Sequence, residues 1–328
     1  MFRADETEMG RSQSYETATG KMYCGLSEVL LQDPGFDEYK GSVQLVLTSP
    51  PFPLNRKKSY GNRTGADYTE WFAGFAPLLS GLLTENGSIV VELGNAWEQG
   101  HPTMSLLPLK TLLAFLERGG LHLCQEFICF NPARLPTPAQ WVTVERIRVK
   151  DAYTRAWWMS PIRRPKADNA RVLTAYSKSM RKLLERGTYN PGRRPSGHNI
   201  SESGFLKRHS GAIPPSVLIP QMEEILEAST LLPQSNTGSC DPYQDYCRSN
   251  NVPLHPARMP LRTAEFFISF LTDPDDLVLD PFAGSNTTGA VAEMLGRRWL
   301  SIEAVEDYVT ASKAWFQQSG TLPLSTAT

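Results

Sequence analysis

Apolar positions along the chain fall into short β-branched runs and longer stretches of helical spacing, and the two alternate. Val43 to Leu47 reads as a buried strand that ends at Ser49-Pro50-Pro51-Phe52, where two prolines stop regular structure. Tyr68 to Leu83 carries apolar residues at helical spacing, and Asn86-Gly87 then starts a second strand, Ser88 to Leu93. Leu106 to Arg118 is a helix with Pro108 in its first turn and Gly119-Gly120 at its end. Leu121 to Phe130 is a third strand. From about Pro161 to Asn251 the pattern fades into Pro, Gly, Ser and Arg, with helical stretches only at Val172 to Leu184 and Gln221 to Leu226. Regularity returns after His255: helix Thr263–Leu271, strand Leu277–Leu279, helix Thr287–Leu295, strand Trp299–Ile302 and a closing helix Val305–Phe316. Alternating strands and helices predict an α/β sheet covered on both faces. The two chain ends, 1–160 and 255–328, would build it, with 161–254 as an insert.

Charge sharpens that division. The 328 residues hold 33 Lys and Arg against 34 Asp and Glu, a net of −1. Between Arg134 and Arg208, however, seventeen bases face five acids, a block of +12 that leaves −13 elsewhere. Such a block reads as a polyanion-binding insert or, taken alone, equally as a solvated basic face. Trp157, Trp158 and the run Arg193-Arg194-Pro195-Ser196-Gly197-His198 interleave rings and turns with it, which favours a shaped surface. With 41% hydrophobic residues the chain is not a disordered tail. No apolar run approaches the ~18 residues of a membrane span. Met1 to Gly10 carries three acids and no apolar segment, unlike a secretory signal, so a cytoplasmic protein is expected. Five scattered cysteines and no CxxC predict reduced thiols rather than disulfides. Cys240, Cys247 and His255 match no familiar zinc spacing, so no metal is expected.

Two loops carry chemistry. Asp280-Pro281-Phe282-Ala283-Gly284-Ser285-Asn286-Thr287 follows a strand and opens a helix, the place where open α/β sheets bind cofactors. Small residues admit a ligand, free amides favour an anionic group, and Asn286 tolerates left-handed geometry. Glu303, at the end of the next strand, suits a pair of ribose hydroxyls. No Gly-Lys-Ser/Thr follows, so this is no P-loop. An NAD-dependent dehydrogenase would use such an acid too, but leaves Ser-Pro-Pro-Phe unexplained. In that second loop Ser49 Oγ and the Pro50 carbonyl are rigid acceptors beside an aromatic face, a set that suits a planar exocyclic amine.

Together the loops resemble those of the amino-group DNA methyltransferases in the β arrangement, nearest to the PvuII-type N4-cytosine modification methylases. The likeness spans roughly Met22 to Phe316 and includes Arg56-Lys57-Lys58, Ile147-Arg148-Val149-Lys150-Asp151-Ala152, Arg194-Pro195-Ser196-Gly197-His198, His255-Pro256-Ala257-Arg258 and Glu265-Phe266-Phe267-Ile268. The resemblance implies a Rossmann-like sheet with 161–254 as target-recognition region. It also implies S-adenosylmethionine as cofactor, duplex DNA as substrate and a flipped-out cytosine as target. Ser49, Pro50, Pro51 and Phe52 would be catalytic. Asp280, Phe282, Gly284, Ser285, Asn286, Thr287, Glu303 and Pro256 would bind the cofactor, and Lys57, Lys58, Arg193, Arg194 and His198 the DNA. Ser rather than Asp at position 49 favours cytosine N4 over adenine N6, and the lack of a Pro-Cys disfavours the carbon-5 chemistry. A cognate restriction endonuclease would be a genetic rather than a physical partner, the chain would act as a monomer, and CAGCTG is the first site to test.

Two positions depart from the pattern. Asn286 stands at a usual glycine, and Gly25-Leu26 stands where the resemblance implies Gly-Asp, the Asp reaching the cofactor's adenine amine. Leucine accepts no hydrogen bond, which predicts a raised cofactor Kd and leaves open a non-catalytic DNA-binding regulator on the same scaffold.

Overall fold

A computed structural model describes residues 12–52, 65–131, 133–201, 203–218 and 241–317. Its strands and helices, in chain order, are β1 (Ser12–Glu16), β2 (Gly20–Cys24), α1 (Ser27–Leu30), β3 (Val43–Thr48), α2 (Gly65–Ala73), α3 (Phe75–Leu82), β4 (Leu83–Gly94), α4 (Leu107–Gly119), β5 (His122–Phe130), β6 (Tyr153–Ser160), α5 (Lys178–Arg186), β7 (Gly192–Arg193), β8 (Asn199–Ile200), β9 (Val217–Leu218), α6 (Pro242–Asn250), α7 (Leu261–Leu271), β10 (Leu277–Asp280), α8 (Thr287–Met294), β11 (Arg298–Glu303), α9 (Glu306–Ser312) and α10 (Ala314–Gln317). Nine strands form one sheet in the order β1-β2-β11-β10-β3-β4-β6-β5-β9. From β2 to β4 the neighbours are parallel; β1 and β6 run against theirs.

Central parallel strands must bury both faces, which is why β3 and β10 are buried at every residue. On one face Val46, Val91 and Leu279 meet Phe72, Leu79 and Phe115 of α2, α3 and α4. On the other, Leu45, Leu47 and Val278 meet Phe267 and Ile268 of α7 and Val291 of α8. The strand order reverses between β10 and β3, so both candidate loops leave the same edge side by side.

Several sequence expectations need correction. The helix expected over Tyr68–Leu83 breaks at Gly74, because Pro77 has no N–H for the Ala73 carbonyl. Strand β4 begins at Leu83, not after Asn86-Gly87; the ladder pairs Val43 with Leu83 and then Leu45 with Ser88, so the intervening residues bulge out of register. Only Lys178–Arg186 of the stretch from Val172 is α-helical, capped by Ser177 Oγ on Met180 N–H at 3.2 Å. The closing helix is two helices parted at Lys313. Gln221–Leu226 lies outside the described residues.

Strands β1 and β6 and helix α6 were not anticipated by the pattern. Trp157 and Trp158 belong to β6 and sit in the core, so they are not part of a basic surface. Nor is the whole basic block solvated: Lys166 pairs with Asp273 and Asp276 at 2.5 and 2.6 Å, and Arg171 with Asp273, fastening the start of the insert to the turn after α7. Helix α6 packs on α9 and α10. No helix among the described residues is long and apolar enough to cross a membrane.

Candidate active site

Asp280, the last residue of β10, joins the two loops. Its Oδ1 accepts from Thr48 Oγ1 at 2.7 Å and from Phe282 N–H at 3.1 Å; its Oδ2 accepts from Thr288 Oγ1 at 2.7 Å. Thr48 precedes Ser49, and Thr288 lies in the first turn of α8. One carboxylate thus fixes the end of β3, the turn and the helix that follows. Burial pushes its pKa up to about 6, against the pull of those three hydrogen bonds.

Beyond Asp280 the turn is shaped by two left-handed residues. Gly284 has φ +53°, and a Cβ there would lie 3.0 Å from the His255 ring, which itself packs edge-on against Tyr308. Asn286 has φ +55° and caps α8 through Oδ1 on Gly289 N–H at 3.2 Å. Its side chain also accepts from Ser301 Oγ at 2.6 Å and donates to the Tyr15 hydroxyl at 3.0 Å. Glu303 ends β11 with Oε2 on Gly284 N–H at 2.8 Å and Oε1 on Val305 N–H at 2.9 Å; burial raises its pKa. These carboxylate oxygens keep lone pairs for further donors.

A cavity of about 260 Å³ opens between the loops. Ser49, Pro50, Pro51 and Phe52 form one wall; Asp280, Phe282, Gly284, Ser285, Thr287 and Glu303 form another. The Phe52 ring lies on the bare Cα of Gly94 at the end of β4, where a Cβ would come within 2.6 Å of it. Residues 26 to 28 close the side next to Glu303. Leu26 is exposed there, and Glu28 Oε1 accepts from Trp71 Nε1 at 3.4 Å. Tyr68, 1% exposed, lines the cavity with a hydroxyl that has no hydrogen-bond partner among the described residues. On the α8 side Arg258 Nε donates to Ser285 Oγ at 3.3 Å, and its Nη2 to Asp241 Oδ2 at 2.7 Å.

A DNA methylase family model matches residues 43–314. The type II methyltransferase M.PvuII of Proteus hauseri is 42% identical over 95% of this chain and 88% of its own. The chain belongs to this DNA methylase family. Among solved structures, the PvuII DNA methyltransferase, described as cytosine-N4-specific, superimposes with a TM-score of 0.72 at 36% identity over 95% of this chain and 91% of that one. The complex of M1.HpyAVI with S-adenosylmethionine shares the fold at a TM-score of 0.50 and 19% identity, over 91% of this chain and all of the other.

S-adenosylmethionine is the cofactor of such methylases, and the lining fits it. Glu303 can accept from vicinal hydroxyls, Phe282 and Trp71 offer aromatic faces, and Ser285, Thr287 and Arg258 supply polar groups for an amino-acid tail. Of the residues singled out from the methylase sequence, the catalytic four and six of the cofactor set meet at this cavity. Asn286 and Pro256 do not line it: Asn286 is fully buried behind the turn, and Pro256 is exposed between His255 and Ala257. Lys57 and Lys58 lie outside the described residues. Arg193 and His198 are exposed on the hairpin of β7 and β8. Arg194 is turned back into it, with Nη2 on the Asn190 carbonyl at 2.8 Å and its guanidinium over the Tyr189 ring.

Glu28, Tyr68, Trp71, Arg258 and Asp241 were missed. Asp241 had a signal, an Asp-Pro pair ahead of a helix, and Asp241 Oδ1 does cap α6 on Gln244 N–H at 2.9 Å. Glu28 and Tyr68 had none, because only the folded sheet brings them to the cavity.

Proposed function

We propose that this methylase transfers the methyl group of S-adenosylmethionine to the exocyclic N4 of a cytosine flipped out of duplex DNA, as the modification arm of a cytoplasmic restriction-modification system. The observation that carries this reading is the Ser49–Phe52 loop, tied to the cofactor turn through Thr48 and Asp280 and backed at Phe52 by Gly94. The cytosine-N4 specificity of the similar PvuII enzyme supports it.

The N4 lone pair is delocalised into the ring, which makes the nitrogen a poor nucleophile. Ser49 Oγ and the Pro50 carbonyl accept its two hydrogens, so the nitrogen rehybridises and its lone pair is aimed at the methyl carbon. Phe52 stacks on the base. The cofactor supplies an electrophilic methyl on a sulfonium. As the N–C bond forms, the C–S pair returns to sulfur; the cationic amine then loses its proton, by way of the Ser49 hydroxyl, to solvent water. Ser49 need not be a strong base for this. Glu303 holds the ribose hydroxyls, while Asp280 positions both loops. Segments 1–160 and 255–328 form the catalytic and cofactor parts. Region 161–254 reads the site, with Arg193 and His198 as its accessible candidates on the β7–β8 hairpin. The enzyme acts as a monomer, and its endonuclease is a genetic partner.

Glu28 is the acceptor for the adenine amine that Leu26 cannot provide. Glu303 is taken up by the ribose hydroxyls and the Asp280 oxygens by Thr48, Phe282 and Thr288, whereas Glu28 Oε2 has no partner among the described residues. A hydrogen bond to a charged group contributes about 1.5–3 kcal/mol, so Glu28→Gln should raise the cofactor Kd roughly tenfold or more. Adding Leu26→Asp to that variant should recover most of the loss. Calorimetric titration checks both, and no change in either variant would remove Glu28 and Leu26 from adenine recognition.

The reading as a whole is tested with duplex DNA, CAGCTG first, and S-adenosylmethionine labelled in its methyl group, followed by digestion to nucleosides and mass spectrometry. N4-methylcytosine is the expected product. N6-methyladenine would overturn the role given to Ser49, and unlabelled DNA would overturn the reading.

A further inference from the structure

The connection between β5 and β6 is pinned at its base, where Asn131 N–H donates to the Ala152 carbonyl at 2.7 Å. Residues 133–151 form a built arm rather than a loose loop. Arg134 Nη1 donates to the Tyr153 carbonyl at 3.0 Å, and Glu145 N–H to the Gln140 carbonyl at 2.9 Å. Ile147 and Arg148 N–H both donate to the Trp141 carbonyl, and the Arg148 guanidinium lies 3.0 Å over the Trp97 ring.

This fixed arm holds four apolar side chains out of the protein. Leu135, Val144, Ile147 and Val149 are between 57% and 86% exposed. Ordinary folding would turn such residues inward, and the exposed Arg146 and Lys150 flank the stretch from Ile147 to Val149. The arm is also next to the chemistry. Phe52 rests on Gly94; the following Asn95 donates through Nδ2 to Asp151 Oδ1 at 2.9 Å, at the arm's own root.

We infer that residues 133–151 are a DNA wedge: Ile147 and Val149, with Leu135 and Val144 beside them, enter the duplex and fill the space left when the target base swings out. The inference rests on the proposed base-flipping methylation. Apolar side chains inserted between base steps hold open unstacked DNA, and an enzyme that extrudes a base must stabilise the gap it leaves. Charge selects DNA over a second copy of the chain, because the arm carries four bases against two acids and two arms would repel. Arg146 and Lys150 would take the flanking phosphates.

The test is the double variant Ile147→Ser/Val149→Ser. Both sites are exposed, so its melting temperature and cofactor affinity should equal the wild type's. Affinity for a fluorescent CAGCTG duplex, or whichever duplex the labelling assay identifies, should fall about tenfold, since nothing then offsets the cost of extruding the base. Against the same duplex with the target cytosine opposite an abasic site the loss should shrink to about twofold, because an unpaired base leaves the stack more cheaply. Equal losses on both duplexes would reduce the arm to a general contact and overturn the wedge, as would no loss on either. A wild type that self-associates through these residues, becoming monomeric in the variant by sedimentation, would assign the patch to a second copy. Failure of the methylation reading shows separately, as unlabelled DNA with the wild type.

Discussion

Ser49→Ala should lower kcat by roughly 10²-fold or more while cofactor and DNA affinities stay within about twofold, since a positioned acceptor of this kind acts mainly in the transition state. Ser49 is half-buried at the cavity wall between the buried Thr48 and Pro50, and its small side chain fills no core position of its own. The backbone around it is held independently by Thr48 on Asp280 and by the two prolines, so alanine removes the Oγ acceptor and little else. The Pro50 carbonyl remains, which is why activity should fall rather than vanish. Ser49→Asp keeps an acceptor and should recover part of the rate. Single-turnover methylation with saturating cofactor and DNA measures the effect directly. An unchanged kcat would leave the lone pair of N4 without its proposed activator and take Ser49 out of the mechanism.

That prediction was readable from residues adjacent in the chain, and much of the fold was readable for the same reason. β3 and β10 stand out because strands buried on both faces are continuous apolar runs, and the catalytic loop and cofactor turn are contiguous motifs at their ends. β6 hides because Arg155 interrupts it and its tryptophans sit in a basic stretch; its burial is decided by β4 and β5 on either side. The break at Gly74 was legible in Pro77 but overridden by an unbroken helical spacing. At the site, what escaped was what the fold assembles from a distance. Arg258 reaches Asp241 and Ser285, and Trp71 reaches Glu28, 43 positions away in the chain. No local pattern encodes such pairs, whereas Asn286 is legible as a left-handed residue but not as the cap that ties Ser301 and Tyr15 behind the turn.

Asp280 carries the second large effect, and its sign follows from its burial. Its pKa rises from 3.8 to about 6 in the folded protein, so the folded state binds the proton more tightly than the unfolded chain does. The stability this group contributes is therefore fully present below pH 3.8 and is lost as pH rises through about 6. A shift of about two units corresponds to roughly 3 kcal/mol across that window. Glu303 and Glu92 are also raised by burial and tilt the same way, so the difference between wild type and variant reports Asp280 together with its charge coupling to Glu303. Asp280→Asn should flatten the dependence between pH 4 and 6, measured as urea unfolding free energy at each pH; parallel curves would refute the assignment. Asp280→Ala is the severe case. It leaves the Thr48 and Thr288 hydroxyls and the Phe282 N–H without their acceptor, at about 1–3 kcal/mol for each buried group that finds no other partner. Because these three donors come from the catalytic loop, the cofactor helix and the turn between them, cofactor affinity and kcat should fall together in that variant. A loss of stability with both parameters intact would mean that the two loops do not need their common anchor.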